Sequence, residues 1–555
     1  MAIIVQSFIK DSLGIRKKSK RNNIFYKPIK MKFKDLTQEQ IQLAKSIYTN
    51  KEMSWDDRMK KLMELFGKSE RTIRKWCSGK LGFKEKIEID SEQYEKAKKR
   101  KADKTKSRFI ITSAQNATPV NKKFLINIEA YAKYIDAEIL VIPFRYQNPT
   151  SVFTDKQESN DWWDNSIEKY LTLNRHDLNN SISILSDIKI QPTASNPLLG
   201  LEGMTGDHSC VIGHPRLELK TLPVMEGCKP KIMFTTGAIT QSNYTDSKQG
   251  KKGEFHHSLA FAIVEIKNDD VYFFRQVSAN SSGDFIDLFY YVSNGEINDE
   301  TNVEAIALGD IHTRVCNPEI IDKTINHLFK HLHPKKVFLH DIIDSQSISH
   351  HNLKDPFKLH ELEQKNANDL SLEINEMLDW LKQFEAYNTY IVKSNHDEHI
   401  DRFLCETDWR KMTNIKNAIP YMNLALAKLN GEAPNGVIQY IINKKYPKIK
   451  CLGYNDNVTV KGYLMSIHGH IGASGSRGSL AQYSRLSTKT VTGHSHAIGR
   501  IGGSVSVGTS TYLRLDYNKG ASNWINAHGI VNRLGKFQHI VFFKTDNGFE
   551  YTTLR

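Results

Sequence analysis

Five times between residues 301 and 515, a short apolar or β-branched run breaks off into histidine, aspartate or asparagine. The stretches are NVEAIALGDIH, KKVFLHDIID, NTYIVKSNHDEH, GYLMSIHGHIG and TKTVTGHSH. Short apolar runs of this kind read as buried strands. Polar residues directly behind them fall in loops at the carboxyl ends of strands, where α/β sheets build their sites. At a strand end residues i and i+2 point the same way, so Asp310 and His312 can grip one cation. Of the 21 histidines, 14 lie between His312 and His496. Ordinary core use of histidine does not crowd them so.

Taken in order, the five stretches resemble the blocks of the calcineurin-like metallophosphoesterases: D-x-H, G-D-x-x-D, G-N-H-D/E, a His usually followed by Gly, and G-H-x-H. The resemblance covers roughly residues 301–515. It implies two divalent cations about 3.5–4 Å apart that clamp the attacking and leaving oxygens of a phosphoryl transfer. By the same resemblance Asp310, His312, Asp341 and His496 hold the first cation. Asp341, Asn395, His468 and His494 hold the second, with Asp341 as the bridge. A metal-bound hydroxide is the implied nucleophile. His396 stabilises developing charge or protonates the leaving oxygen, and Asp397 orients it. Oxygen and nitrogen donors without thiolate suit manganese first, with Mg2+ or Fe2+ as alternatives. Two positions depart from the pattern: His340 and Ser394 stand where the family has glycine. Neither is a ligand position, so the turns are expected to adjust. His340 can also reach substrate or metal. His350, His351, His399 and His470 lie near the blocks without an assigned role.

The rest of the chain bears on the substrate. Residues 1–108 hold 30 Lys and Arg against 14 Asp and Glu, which accounts for the whole net charge of +15. A polyanionic partner is therefore met mainly by this region. Residues 1–35, with Arg16, Lys17 and Lys18, read as a basic arm. Residues 36–83 read as helices capped at Thr37, Ser54 and Ser69 and ended at Gly67, with Met59, Leu62, Met63 and Phe66 on one face. Their order resembles a helix-turn-helix that offers Arg71, Thr72, Arg74 and Lys75 to a DNA groove. Residues 84–107 read as a basic linker. Residues 108–300 read as a βαβ unit and then strands, including a hairpin turning at Asn268–Asp270. Residues 516–555 read as a C-terminal hairpin extension turning at Asp546–Gly548.

The expected fold class is α/β: a four-layer metallophosphoesterase β-sandwich flanked by helices, with an N-terminal helical helix-turn-helix domain and a middle α/β domain. No run of about 18 apolar residues is present, so no membrane span is expected. The apolar start precedes its charges, the reverse of a secretory signal. The six cysteines are scattered, as in a reducing cytoplasm. A DNA tether joined to a two-metal phosphodiesterase suggests a DNase similar to the DNA-repair branch of the family. Taken whole, the chain also resembles the large pre-early DNA-transfer proteins of coliphages that inject their genome in two steps. That resemblance implies work on host DNA in the host cytoplasm. Two alternatives stand beside it: a phosphatase of nucleotides or phosphoproteins, and a DNA-binding transfer scaffold with a vestigial metal site. The sequence leaves oligomeric state open, a homo-oligomer included.

Overall fold

Alternation decides the central sheet. In strands Ala305–Ala307, Val337–His340 and Thr389–Val392 every side chain is buried, so both faces must be covered. Ile306, Val337, Leu339 and Ile391 face one way, onto helices that include Pro318–Lys323, Leu370–Leu381 and Asp397–Glu406. Ala305, Ala307, Phe338, Tyr390 and Val392 face the other way, onto Val460, Tyr463, Val491 and Val505 of a second sheet. Each such aliphatic side chain contributes about 1.5–3 kcal/mol on burial.

The computed structural model describes residues 33–50, 53–81, 92–153, 162–300, 302–516 and 518–554. The basic arm with Arg16, Lys17 and Lys18 lies outside them. The chain divides into two units, Met1–Ile89 and Asp90–Arg555. In the first, helices Gln38–Tyr48, Trp55–Phe66 and Glu70–Arg74 enclose Ala44, Tyr48, Leu62, Phe66, Ile73 and Trp76. The third helix runs on as a π-helical turn, Lys75–Lys80. Thr37 forms a capping box with Gln40, and Gly67 ends the second helix in the left-handed region. Met63 does not share the buried face; it is exposed.

The second unit is mixed α/β. Its six-stranded sheet runs Lys450–Cys451, Thr389–Val392, Val337–His340, Ala305–Ala307, Ala527–Val531, Phe537–Val541. The first four strands are parallel and the last two antiparallel. A ten-stranded sheet packs its 459–506 part on this one. Its 175–235 part packs on a four-stranded sheet made of Ala137–Phe144, Arg108–Gln115, Ala260–Ile266 and Tyr272–Ser278. The βαβ unit and the hairpin at 268–270 form as expected.

Contacts cross three divisions read from the sequence. Strand Gly499–Ile501 pairs with Glu218–Leu222, so residues on either side of 300 share one sheet. The segment from 516 supplies Ala527–Val531, which pairs with Ala305–Ala307 beside the candidate site; its 543–550 part forms the hairpin that turns at 546–547. Within 84–107, helix Glu92–Lys99 is docked: Gln93 Nε2 donates to the Trp163 carbonyl at 3.1 Å, and Ala97 is buried. The reason is common to all three. Strand edges and an apolar helix face seek partners regardless of sequence distance, which composition does not record.

Candidate metal centre

All five blocks end where expected. The strands closing at Ala307, His340, Val392, Leu464 and Thr492 each give way to a loop that carries the polar residues. The donors are not presented by strand alternation, however. His312, Asp341, His494 and His496 have φ of 45°, 53°, 68° and 53°. Left-handed backbone costs such residues about 1–2 kcal/mol each. Tight turns therefore aim these side chains, and Asp310 and His312 converge through such a turn.

Asp310, His312, Asp341 and His496, all buried, bring one ligand atom each within 4.8 Å of one another. His496 Nε2 lies 3.1 Å from Asp310 Oδ2 and 3.2 Å from His312 Nε2; His312 Nε2 lies 3.3 Å from Asp341 Oδ2. Two imidazole nitrogens and two carboxylates thus face one point. His468 also reaches Asp341, with Nε2 3.6 Å from its Oδ2, and groups with Asp310 and His340. The His494 ring is 5.3 Å from that of His468, at a half-buried border. Asn395 follows the third strand with its Oδ1 buried and unpartnered.

Carboxylates beside imidazoles set the charge state. Burial opposes ionisation of Asp310, but His468 and His496 outweigh it and hold the carboxyl at about 2. Asp341 is held well below the usual range by His396, His312 and His468, against its burial. Burial pushes His468 down to about 3, and His494 and His340 downward as well. His312 goes the other way: despite its burial, Asp341, Asp344 and Asp310 raise it to about 9. Ionised carboxylates with neutral imidazoles are what a divalent cation requires, and a cation at this point displaces the His312 proton. Oδ1 of Asp310, Nε2 of His340 and of His468, and Oδ1 of Asn395 are buried without hydrogen-bond partners. Buried polar atoms are rarely left so, and a metal ion satisfies this donor set.

Several contributors were not assigned from the sequence. Asp344 Oδ1 is 3.2 Å from His312 Nδ1, so the carboxylate takes that N–H and turns Nε2 toward the cluster. Ser394 donates from Oγ to Asp341 Oδ1 at 2.7 Å. Asp397 turns to Ser394. Its carboxylate accepts from Ser394 N–H at 2.9 Å, while Ser394 Oγ accepts from Asp397 N–H at 3.2 Å. Asp397 is the first residue of a helix, where a carboxylate caps the turn before it, and burial followed by Asp341 raises it to about 7. His396 Nδ1 instead faces His312 Nδ1 at 3.1 Å, Asp344 at 3.5 Å and Asp341 at 3.7 Å. Trp524 packs on His496 with ring centroids 4.1 Å apart. The second aspartate of G-D-x-x-D was a visible signal for Asp344; nothing local marks Trp524.

In the other unit, Arg71, Arg74 and Lys75 are exposed on the third helix and Thr72 is half-exposed. Arg74 pairs with Glu70 at 2.6 Å. Among the described residues no helix is long and apolar enough to cross a membrane.

No family model matches the chain, and no solved structure matches it. The chain is similar to Protein A1 of Escherichia phage T5, 29% identical over 471 residues that cover 80% of this chain and 83% of that protein. The similarity relates the chain to a bacteriophage protein over most of its length.

Proposed function

We propose that the chain is a metal-dependent phosphodiesterase of calcineurin-like architecture that hydrolyses DNA, in the setting of phage takeover. One observation carries this reading: donors from separate strand ends converge on Asp341, whose Oδ2 lies 3.3 Å from His312 Nε2 and 3.6 Å from His468 Nε2. Asp310, His312, Asp341 and His496 would hold one cation. Asp341, Asn395, His468 and His494, with His340 in reach, would hold a second. When bound, such a pair supplies Lewis-acid polarisation of the phosphodiester and activation of water.

The chain's own groups do the rest. Asp344 fixes the tautomer of His312, and Ser394 fixes the rotamer of Asp341. His396 turns Nδ1 to the cluster, which leaves Nε2 for a substrate oxygen. Burial lowers its proton affinity, so it acts as a neutral N–H donor to developing charge. DNA as the substrate is supported by the cationic N-terminal residues, whose phosphate contacts would position the duplex without reading sequence.

The test is incubation of the full chain with supercoiled plasmid in Mn2+, Mg2+ or EDTA, beside Asp341→Asn. Degradation in Mn2+, lost in EDTA and in the variant, is expected. An inert wild-type protein carrying stoichiometric metal would refute the activity. Hydrolysis of nucleoside monophosphates with no attack on DNA would turn the reading to a phosphatase.

A further inference from the structure

Away from the metal cluster, a cavity of about 560 Å³ opens beside strands Tyr463–Leu464, Lys489–Thr492 and Gly499–Ile501. Among the described residues its wall holds Arg216, Lys489, Arg500 and Lys536 and not one Asp or Glu. The strand Lys489–Thr492 enters from this cavity and leaves toward His494, so the two sites lie at opposite ends of one strand. Ser278, Ser487, Thr488 and Ser504 add hydroxyls to the lining.

Among the described residues, only one of these four charges is answered by an ion pair. Arg216 has a partner, Glu218, at 3.3 Å. Arg500 is 94% buried by its 6% exposure, and its Nε donates only to the Gly502 carbonyl at 3.2 Å. Lys489 rests over the Tyr463 ring at 4.9 Å. Among the described residues neither lysine nor Arg500 makes an ion pair. Burial, then Lys489 and Arg500, push the Lys536 ammonium down to about 8. Removing one partner of a buried pair typically costs several kcal/mol because it leaves such a charge uncompensated. Three converging cations in a recess large enough for a small ligand call for an anion from outside.

We propose that this cavity is a second, metal-independent site, which binds the dianionic phosphate of a small phosphomonoester. The Arg500 fork lies recessed, within reach of a terminal phosphate, and Lys489 and Lys536 supply point charges beside it. At the rim Phe255 is 84% exposed, with its ring 5.0 Å from His256, so a flat base has a surface to lie on. Inorganic phosphate and a nucleoside monophosphate share the phosphate chemistry and differ in their use of that rim.

Calorimetric titration of the full chain in EDTA tests this without involving the metal cluster. The probes are inorganic phosphate, dAMP and the dinucleotide TpT, which carries only a diester. Saturable binding of phosphate or dAMP is expected, weakened about tenfold or more by Lys489→Ala and by Lys536→Ala. Tighter binding of dAMP assigns the site to nucleotides, equal binding to free phosphate, and either supports the proposal. Arg500→Ala should abolish binding; the two lysine variants keep the test valid if it does not fold. No saturable binding by either monoester, binding indifferent to both lysines, or TpT bound as tightly as dAMP would each overturn it.

Discussion

Gly493 packs against Asp310 and His340, and the reason it must be glycine can be measured. A Cβ built there would sit 2.2 Å from Asp310 Oδ1 and 3.1 Å from His340 Cγ. An ordinary contact needs the carboxylate to retreat by about 1 Å. Asp310 has no room, being fully buried with His496 Nε2 at 3.1 Å on its other oxygen. Gly493→Ala should therefore cost about 1–3 kcal/mol of stability as an overpacked core does. A donor displaced by about 1 Å should weaken Mn2+ binding about 100-fold, the scale of loss seen for misplaced catalytic groups. Urea denaturation in EDTA reads the first effect and chelator-competition titration the second. Gly203 is the control: a Cβ there meets nothing within 4 Å. Gly203→Ala should stay within about 0.5 kcal/mol with unchanged metal affinity. If Gly493→Ala takes up Mn2+ like the wild type, the cation does not sit against Asp310.

Three further outcomes are expected. Ser394→Ala removes the 2.7 Å hydrogen bond to Asp341 and should lower Mn2+ affinity about 10–100-fold by the same titration, while the fold survives. His396→Ala should keep bound metal, read by elemental analysis, and lose DNA cleavage about 10²–10⁴-fold; equal loss of metal would make His396 a ligand instead. His528 is buried and held at about 3, with Nδ1 accepting from Gly309 N–H at 3.1 Å and Nε2 at 2.8 Å from Thr324 Oγ1. Because its folded value lies below its unfolded one, its stabilisation is whole above about pH 6.5 and lost as pH falls toward 3. The urea midpoint in EDTA should drop between pH 7.5 and 5.0, and drop less in His528→Asn; equal slopes in the two proteins would contradict this.

What the sequence made legible follows from range. The strand ends were readable because an apolar run and the polar residues behind it are neighbours in the chain. Asp310, His312, Asp341, His468 and His496 could be named on that basis. Ser394 against Asp341, His340 against His468 and Trp524 against His496 were not readable, since each contact joins residues 53, 128 and 28 positions apart. The same limit hid the pairing of Gly499–Ile501 with Glu218–Leu222 and the return of Ala527–Val531 to the central sheet.

The left-handed donors were concealed for a different reason. Positive φ is uncommon for any residue but glycine, yet His312, Asp341, His494 and His496 sit there. Their strain, about 1–2 kcal/mol each, has to be carried by the packing around them. Gly309 illustrates how: a Cβ there would lie 2.7 Å from the Ala527 carbonyl, on the strand that returns from the far end of the chain. That close approach locks the Asp310 loop between two strands, and His528 of the same returning strand fixes the Gly309 N–H. The segment read as an appendage is thus a wall of the centre. Its removal should release the Asp310 turn even though it contributes none of the proposed ligands.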